Sequence, residues 1–259
     1  MLKVRIIPTL LWKNHGLVKG IGFDSWRRVG TIMPAVKVYN TRQVDELIVV
    51  DISATAEGRL PDFEEIREFS AECFVPLTVG GGIRSIEDIK QLLRAGADKV
   101  SINSAAFVNP GLISEAADRF GSQCVVASID ALKNSDGSYS CMSRSGTQDT
   151  GLEPGEWAIE MEHRGAGEIL ITSVDLDGTM VGYDLDLIQR ITSRVQIPVI
   201  ASGGAGSYQH LFEALNIGKA AAVAAASIFH FTEQTPLEAK NYLATLGIPV
   251  RNAKVTEIT

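Results

Sequence analysis

The sequence predicts an α/β protein folded as one eightfold (β/α) barrel over residues 1–259, built as two fused half-barrels, and three observations carry that reading. Short apolar, β-branched runs of buried-strand length recur eight times along the chain. Amphipathic, helix-like stretches lie between them. The third observation is an internal repeat at an offset of 122 residues, the distance from Glu46 to Glu168, which also relates Gly81 to Gly203 and Gly96 to Gly218. A period that long exceeds a solenoid unit and suits two half-barrels closed on each other.

In chain order the predicted strands are VRIIPTL, LIVVDI, VPLTVG, KVSIN, CVVASID, EILITSVD, IPVIASGG and AAVAAAS. Each is a continuous apolar run, the pattern of a parallel strand buried on both faces. The helices between them are FEEIREFSAE, SIEDIKQLLRAG, GLISEAADRF, GEWAIEMEHRGAG and LDLIQRITSRV. Gly or Asn closes several of these, since such residues tolerate the left-handed conformation that ends a helix. No linker divides the chain.

Composition narrows the function classes. With 45% hydrophobic and 21% charged residues, the chain can bury a large core. A net charge of −7 and the lack of any Lys/Arg block leave nucleic-acid or anionic-membrane binding without an electrostatic basis. Cys73, Cys124 and Cys141 are too few and scattered for a disulfide framework, so they read as reduced thiols in the cytoplasm. The opening MLKVRII reads as a charged strand, so neither secretion nor, with no run of about 18 apolar residues, a membrane span is expected. His15, His163, His210 and His230 lack metal-ligand spacing, and neither a metal nor another cofactor is expected. Trp12, Trp26 and Trp157 read as packing or loop anchors.

In such barrels chemistry sits where strands end and loops begin. Gly80-Gly81-Gly82 follows the third strand and Asn103-Ser104 the fourth; their repeat partners are Gly203-Gly204 and Ala226-Ser227. Glycine lets backbone N–H groups approach an oxyanion, so each pair can cradle a phosphate, and two cradles suggest a substrate phosphorylated at both ends. The plainer alternative is that the glycines form tight turns. Other strand ends carry acids: Asp51, Asp130, Asp175 and Asp177. A carboxylate there serves as acid or base if its surroundings bring its pKa toward neutrality, or simply caps a loop. Asp130 and Asp177, on opposite sides of the glycine pairs, are the catalytic candidates.

RIIP, LVKG, VDELIVVDISA, LTVGGGIRSIED, LLRAGADKVSINSAA, DRFGSQCVV, DGT…GYDL, PVIASGGAG, ASIFHF and GIPVR together resemble, over nearly the full chain, the cyclase subunit of imidazole glycerol phosphate synthase. The resemblance implies a barrel that receives ammonia from a glutaminase docked on its bottom face and joins it to a bisphosphorylated substrate on top. Arg5, Glu46, Lys99 and Glu168 match that family's charged ring at the ammonia entrance, and Asp98 matches its docking face. Lys19, within LVKG, joins Gly81, Gly82, Asn103, Ser104, Gly203, Gly204, Ala226 and Ser227 in the phosphate-binding set. Four charges at strand starts also suit a structural salt-bridge layer, and both roles are compatible.

One departure redirects the functional reading. The family carries a catalytic aspartate at the ends of its first and fifth strands; the fifth is matched by Asp130, but the first position is Leu11. The family's CLD is Thr9-Leu10-Leu11 here, and its GDP is Gly30-Thr31-Ile32. LLWKNHGLVK and Gly146-Thr147-Gln148-Asp149 resemble a branch associated with amidating surface-glycan sugars, where ammonia serves a separate amidotransferase that turns an acetamido group into an acetamidino group. The resemblance therefore implies an ammonia-accepting, cyclase-type subunit serving glycan amidation. The alternatives are the histidine-pathway cyclase and a non-catalytic conduit that activates its glutaminase.

Overall fold

The computed structural model describes residues 3–251. Its core is a closed, parallel barrel of eight strands with helices outside, a (β/α)8 barrel. In chain order the elements are β1 (Arg5–Lys13), β2 (Gly16–Ile21), β3 (Asp24–Gly30), α1 (Ile32–Thr41), β4 (Leu47–Asp51), α2 (Phe63–Ser70), β5 (Leu77–Gly80), α3 (Ile86–Arg94) and β6 (Lys99–Ile102). There follow α4 (Ser104–Val108), α5 (Gly111–Phe120), β7 (Val125–Lys133), β8 (Tyr139–Ser143), β9 (Gln148–Asp149), α6 (Pro154–His163) and β10 (Glu168–Ser173). The chain ends with α7 (Leu185–Thr192), β11 (Val199–Ser202), α8 (Tyr208–Asn216), β12 (Ala222–Ala225), α9 (Ser227–Phe231) and α10 (Pro236–Thr245).

The barrel runs β1-β4-β5-β6-β7-β10-β11-β12 and closes where β12 pairs with β1, Arg5 opposite Ala222 and Ile7 opposite Ala224. All eight predicted strands are present. Alternate side chains face opposite sides of the barrel wall. Ile7, Ile48, Val126, Leu170, Ile200, Ala222 and Ala224 pack inside it, whereas Ile6, Leu10, Leu47 and Val49 pack outward against the helices. Side-chain caps start several of the helices. Ser85 and Asp88 form a reciprocal capping box at α3, Thr235 and Glu238 another at α10, and Asp62, Asp184 and Ser207 cap α2, α7 and α8.

Two features extend the predicted plan. The first strand continues past Leu10 to Lys13 and turns through Asn14-His15, both at positive φ, into the β2–β3 hairpin. The fifth barrel strand likewise extends to Lys133 and pairs with β8, which pairs with β9. Both hairpins rise from the C-terminal mouth. The 122-residue repeat is kept at the glycine loops, where Gly81, Gly82, Gly203 and Gly204 all have positive φ. It lapses lower down, where Gly96 has φ +112° but the corresponding turn places Lys219, not Gly218, at positive φ. Among the described residues no helix is long and apolar enough to cross a membrane.

Candidate functional site

One cavity opens at the C-terminal mouth, and most of the sequence-derived site converges on it. Leu11, Lys19, Gly81, Gly82, Asn103, Ser104, Asp130, Asp177, Gly203, Gly204, Ala226 and Ser227 all line its wall. Phe23 and Trp26, from the β2–β3 hairpin, line it too. Trp26 was expected only as an anchor; the hairpin that carries it to the mouth was not recognised in the sequence.

Asp130 is on β7, beside β10, and its Oδ2 accepts a hydrogen bond from Asn103 Nδ2 at 3.2 Å. The same amide donates to the carbonyls of Ser128 and Met142, which fixes it toward Asp130. Burial, with a smaller push from the nearby Asp177 charge, raises the Asp130 carboxyl to about 7. That is the range in which a carboxyl both takes and gives a proton at neutral pH. Asp177 is reached through the loop after β10, so the two acids share one wall of the cavity.

Lys19, expected in the phosphate-binding set, also has a carboxylate partner. Its buried Nζ lies 2.5 Å from Asp177 Oδ2. Burial raises the Asp177 pKa and the Lys19 cation works against that rise. The hairpin carrying Lys19 is tied down by Gly22 N–H donating to the Asp177 carbonyl at 2.8 Å. A Cβ on Gly178 would lie 2.1 Å from the Gly20 carbonyl oxygen, so glycine is required where these backbones meet.

The two glycine loops are alike in backbone and unlike in side chains. A Cβ on Gly81 would lie 2.1 Å from the Asp51 carbonyl oxygen, and one on Gly204 2.0 Å from that of Gly182. Tight packing thus accounts for these glycines by itself. Gly82 N–H donates to Thr55 Oγ1, and Ser104 Oγ donates to Asn103 Oδ1 while accepting from Arg144 N–H. Ser227 Oγ, in contrast, is buried without a partner among the described residues. Thr9 Oγ1, another cavity-lining hydroxyl, is also unpartnered.

The other acids serve the frame. Asp51 accepts from Ser53, from Ala54 N–H and from the Arg59 guanidinium, and Asp175 accepts from Lys133 N–H. Leu11 sits opposite Val50 on β4 and Val18 on β2, with its side chain on the cavity. Thr31 begins α1, and Ile32 is buried in the outer core.

At the opposite end Arg5, Glu46, Lys99 and Glu168 form a closed ring of four ion pairs. Arg5 bonds Glu46 and Glu168 at 2.8 and 2.7 Å, and Lys99 bonds the second oxygen of each at 3.1 Å. Burial works against the Arg5 charge, but the two carboxylates prevail and hold it above its ordinary pKa. Asp98 is exposed beside this ring; one of its oxygens accepts from Leu77 N–H. The sequence also gave no sign that His15 meets Asp62 and Glu65, its Nδ1 2.9 Å from Glu65 Oε2 at the exposed rim.

The fold and cavity define a (β/α)8-barrel protein with an acid-bearing site at the strand C-termini and a charged ring at the strand N-termini. The family described as "Histidine biosynthesis protein" matches residues 5–235. Two relatives from Caulobacter vibrioides, strains NA1000 / CB15N and ATCC 19089 / CIP 103742 / CB 15, are each named imidazole glycerol phosphate synthase subunit HisF. Each is 51% identical over 252 residues, covering 97% of this chain and 97% of the relative. The chain belongs to this histidine-biosynthesis family. The relatives' names favour the histidine-pathway reading that the sequence placed second.

Proposed function

We propose that the chain is the ammonia-accepting, cyclase-type subunit of a glutamine amidotransferase of the imidazole glycerol phosphate synthase kind. The observation that carries this reading is the pairing of two ends: a four-residue ionic ring where the strands begin, and an Asp130 cavity flanked by both glycine loops where they end. A cytoplasmic glutaminase subunit docks around Asp98 and releases ammonia at the ring. The barrel carries the ammonia to the cavity. There a small substrate bearing two phosphates lies across the Gly81-Gly82/Asn103-Ser104 and Gly203-Gly204/Ala226-Ser227 loops. The unpartnered Ser227 hydroxyl supports an anion at the second of these. Asp130 handles a proton at the reacting centre, and burial suits it to that task.

Leu11 favours a second reading. An apolar side chain at that position cannot exchange protons, and losing one member of an acid/base pair costs on the order of 10²–10⁴ in rate. On this reading the ammonia leaves for a separate amidotransferase that converts an acetamido sugar of a surface glycan to its acetamidino form. One assay separates the readings. Purified protein is given ammonium chloride and the bisphosphorylated substrate of imidazole glycerol phosphate synthase. Turnover at a rate typical of a biosynthetic enzyme supports the first reading. Negligible turnover, with glutaminase activation intact, supports the second. Failure of any co-encoded glutaminase to bind at micromolar concentration removes both.

A further inference from the structure

With Leu11 on β1 presenting no carboxyl, the cavity wall holds Asp130, which has no ion-pair partner among the described residues, and the Lys19–Asp177 pair, besides Asp51, which is bound to Arg59. We propose that the Lys19–Asp177 pair is the second proton carrier of this site, acting with Asp130 in place of a carboxyl group at position 11. The inference rests on the reading that ammonia is added to a substrate in this cavity.

Hydrogen-bond accounting separates Lys19 from an ordinary structural lysine. An ammonium has three protons to donate. Among the described residues Asp177 is the one hydrogen-bond partner of Lys19, which leaves two donor protons of a buried cation without an acceptor, on a side chain that lines the cavity. Lys240 provides the contrast: equally buried, it bonds both Gln43 O and Asp45 Oδ1 and lines no part of the cavity. A buried donor without partners is costly, and a site keeps one where a ligand or reacting atom completes it. The hairpin contacts at Gly20, Gly22 and Gly178 hold the pair in place before substrate arrives.

The remaining charged neighbours do not compete for this role. Asp51 is committed to Arg59, Ser53 and Ala54. His230, on α9, is held below its usual pKa by burial and by the Lys19 charge, against a hydrogen bond to the Thr9 backbone. For an acceptor that presents a carbonyl, the step balances as follows. Ammonia nitrogen forms a bond to carbon and the C=O π pair moves to oxygen. Lys19 gives that oxygen a proton while Asp130 takes one from nitrogen. The neutral carbinolamine stands between Lys19 as amine and Asp130 as acid, and return of the proton from Asp130 to Lys19 resets the site.

Two measurements test this. In the assay with ammonium chloride and the bisphosphorylated substrate, Lys19→Arg keeps the positive charge but cannot give up a proton at working pH. It is expected to lower kcat at least 100-fold while changing KM less than about threefold. A kcat within a few-fold of the parent would reduce Lys19 to a fixed charge and overturn the inference. The second readout needs no turnover. In ¹⁵N-lysine NMR of the unliganded protein, assigned by loss of the signal in Lys19→Arg, the Lys19 ammonium protons are expected to exchange with water at least tenfold faster than those of Lys240. Equally slow exchange overturns the inference even if another acceptor proves to be the substrate. If the parent fails to turn over the bisphosphate but Lys19 exchanges fast, the substrate reading falls and the inference stands.

Discussion

At the scale of single residues, neighbouring side chains on one strand have opposite fates. Leu10 is fully buried in the outer core, while Leu11, one residue on, faces the cavity. Leu11→Asp is therefore expected to cost less than about 2 kcal/mol in urea unfolding, because cavity water solvates the new charge. Leu10→Asp is expected to cost more than about 4 kcal/mol by burying an unpaired one. Asp130 gives a pH test. Its folded pKa of about 7 lies above the ordinary 3.8, so between those values the native state holds a proton that the unfolded chain has lost. Stability therefore falls as pH rises through that window and stays lowered above 7. Asp130→Asn should stabilise the fold by about 1–3 kcal/mol at pH 8 and by much less at pH 4, as urea midpoints at the two pH values would show. A larger gain at pH 4 would mean that the carboxyl is stabilised in its charged form.

At the scale of elements, the glycine loops and the two hairpins decide the shape of the mouth. Gly204 has φ +103° and no room for a Cβ, whereas Gly137, in the turn between β7 and β8, has φ +84° and open space around it. The left-handed conformation alone costs an L-residue about 1–2 kcal/mol. Gly137→Ala should stay within that range, and Gly204→Ala should exceed about 3 kcal/mol because the Gly182 loop must also move. Comparable losses in thermal and urea unfolding for the two variants would contradict the packing described for the loop. The β2–β3 hairpin is fastened from several directions: its tip to the loop after β10, and Arg27 over the Phe231 ring at 3.6 Å.

At the scale of the whole molecule, two ionic devices join distant parts of the chain. The ring draws Arg5, Lys99 and Glu168 from β1, β6 and β10 and Glu46 from just before β4, and Lys240 of α10 bonds Asp45, whose other oxygen accepts from Ile6 N–H. The second device ties the last helix to the first two barrel strands. Lys240→Met leaves Asp45 buried and unpaired, and a loss of about 3–5 kcal/mol in equilibrium unfolding is expected. Glu46→Gln weakens two ring bonds at a site more open to water, so a smaller loss of about 1–3 kcal/mol is expected. A Lys240→Met variant as stable as its parent would show that the closure rests on β1–β12 pairing and apolar packing alone.

Local pattern determined the eight strands, five of the helices around them and the strand-end position of nearly every candidate residue, because burial on both faces of a parallel strand writes a continuous apolar run. It also marked Asp130 through its place at a strand end, whereas Leu11 and the charged ring were marked by the family resemblance. Only the tertiary structure decided which strand-end groups share a wall and which are already committed. Asp51 was as eligible as Asp130 in the sequence, yet Arg59 and a loop of its own engage it. Lys19 entered the sequence reading in the phosphate-binding set, with no sign of its carboxylate partner. In the fold, β2 swings over the mouth and places the ammonium on Asp177, 158 residues away in sequence. Periodicity reports burial, a property of each residue and its near neighbours, whereas pairing and pKa depend on which distant groups the closed barrel brings within hydrogen-bond reach.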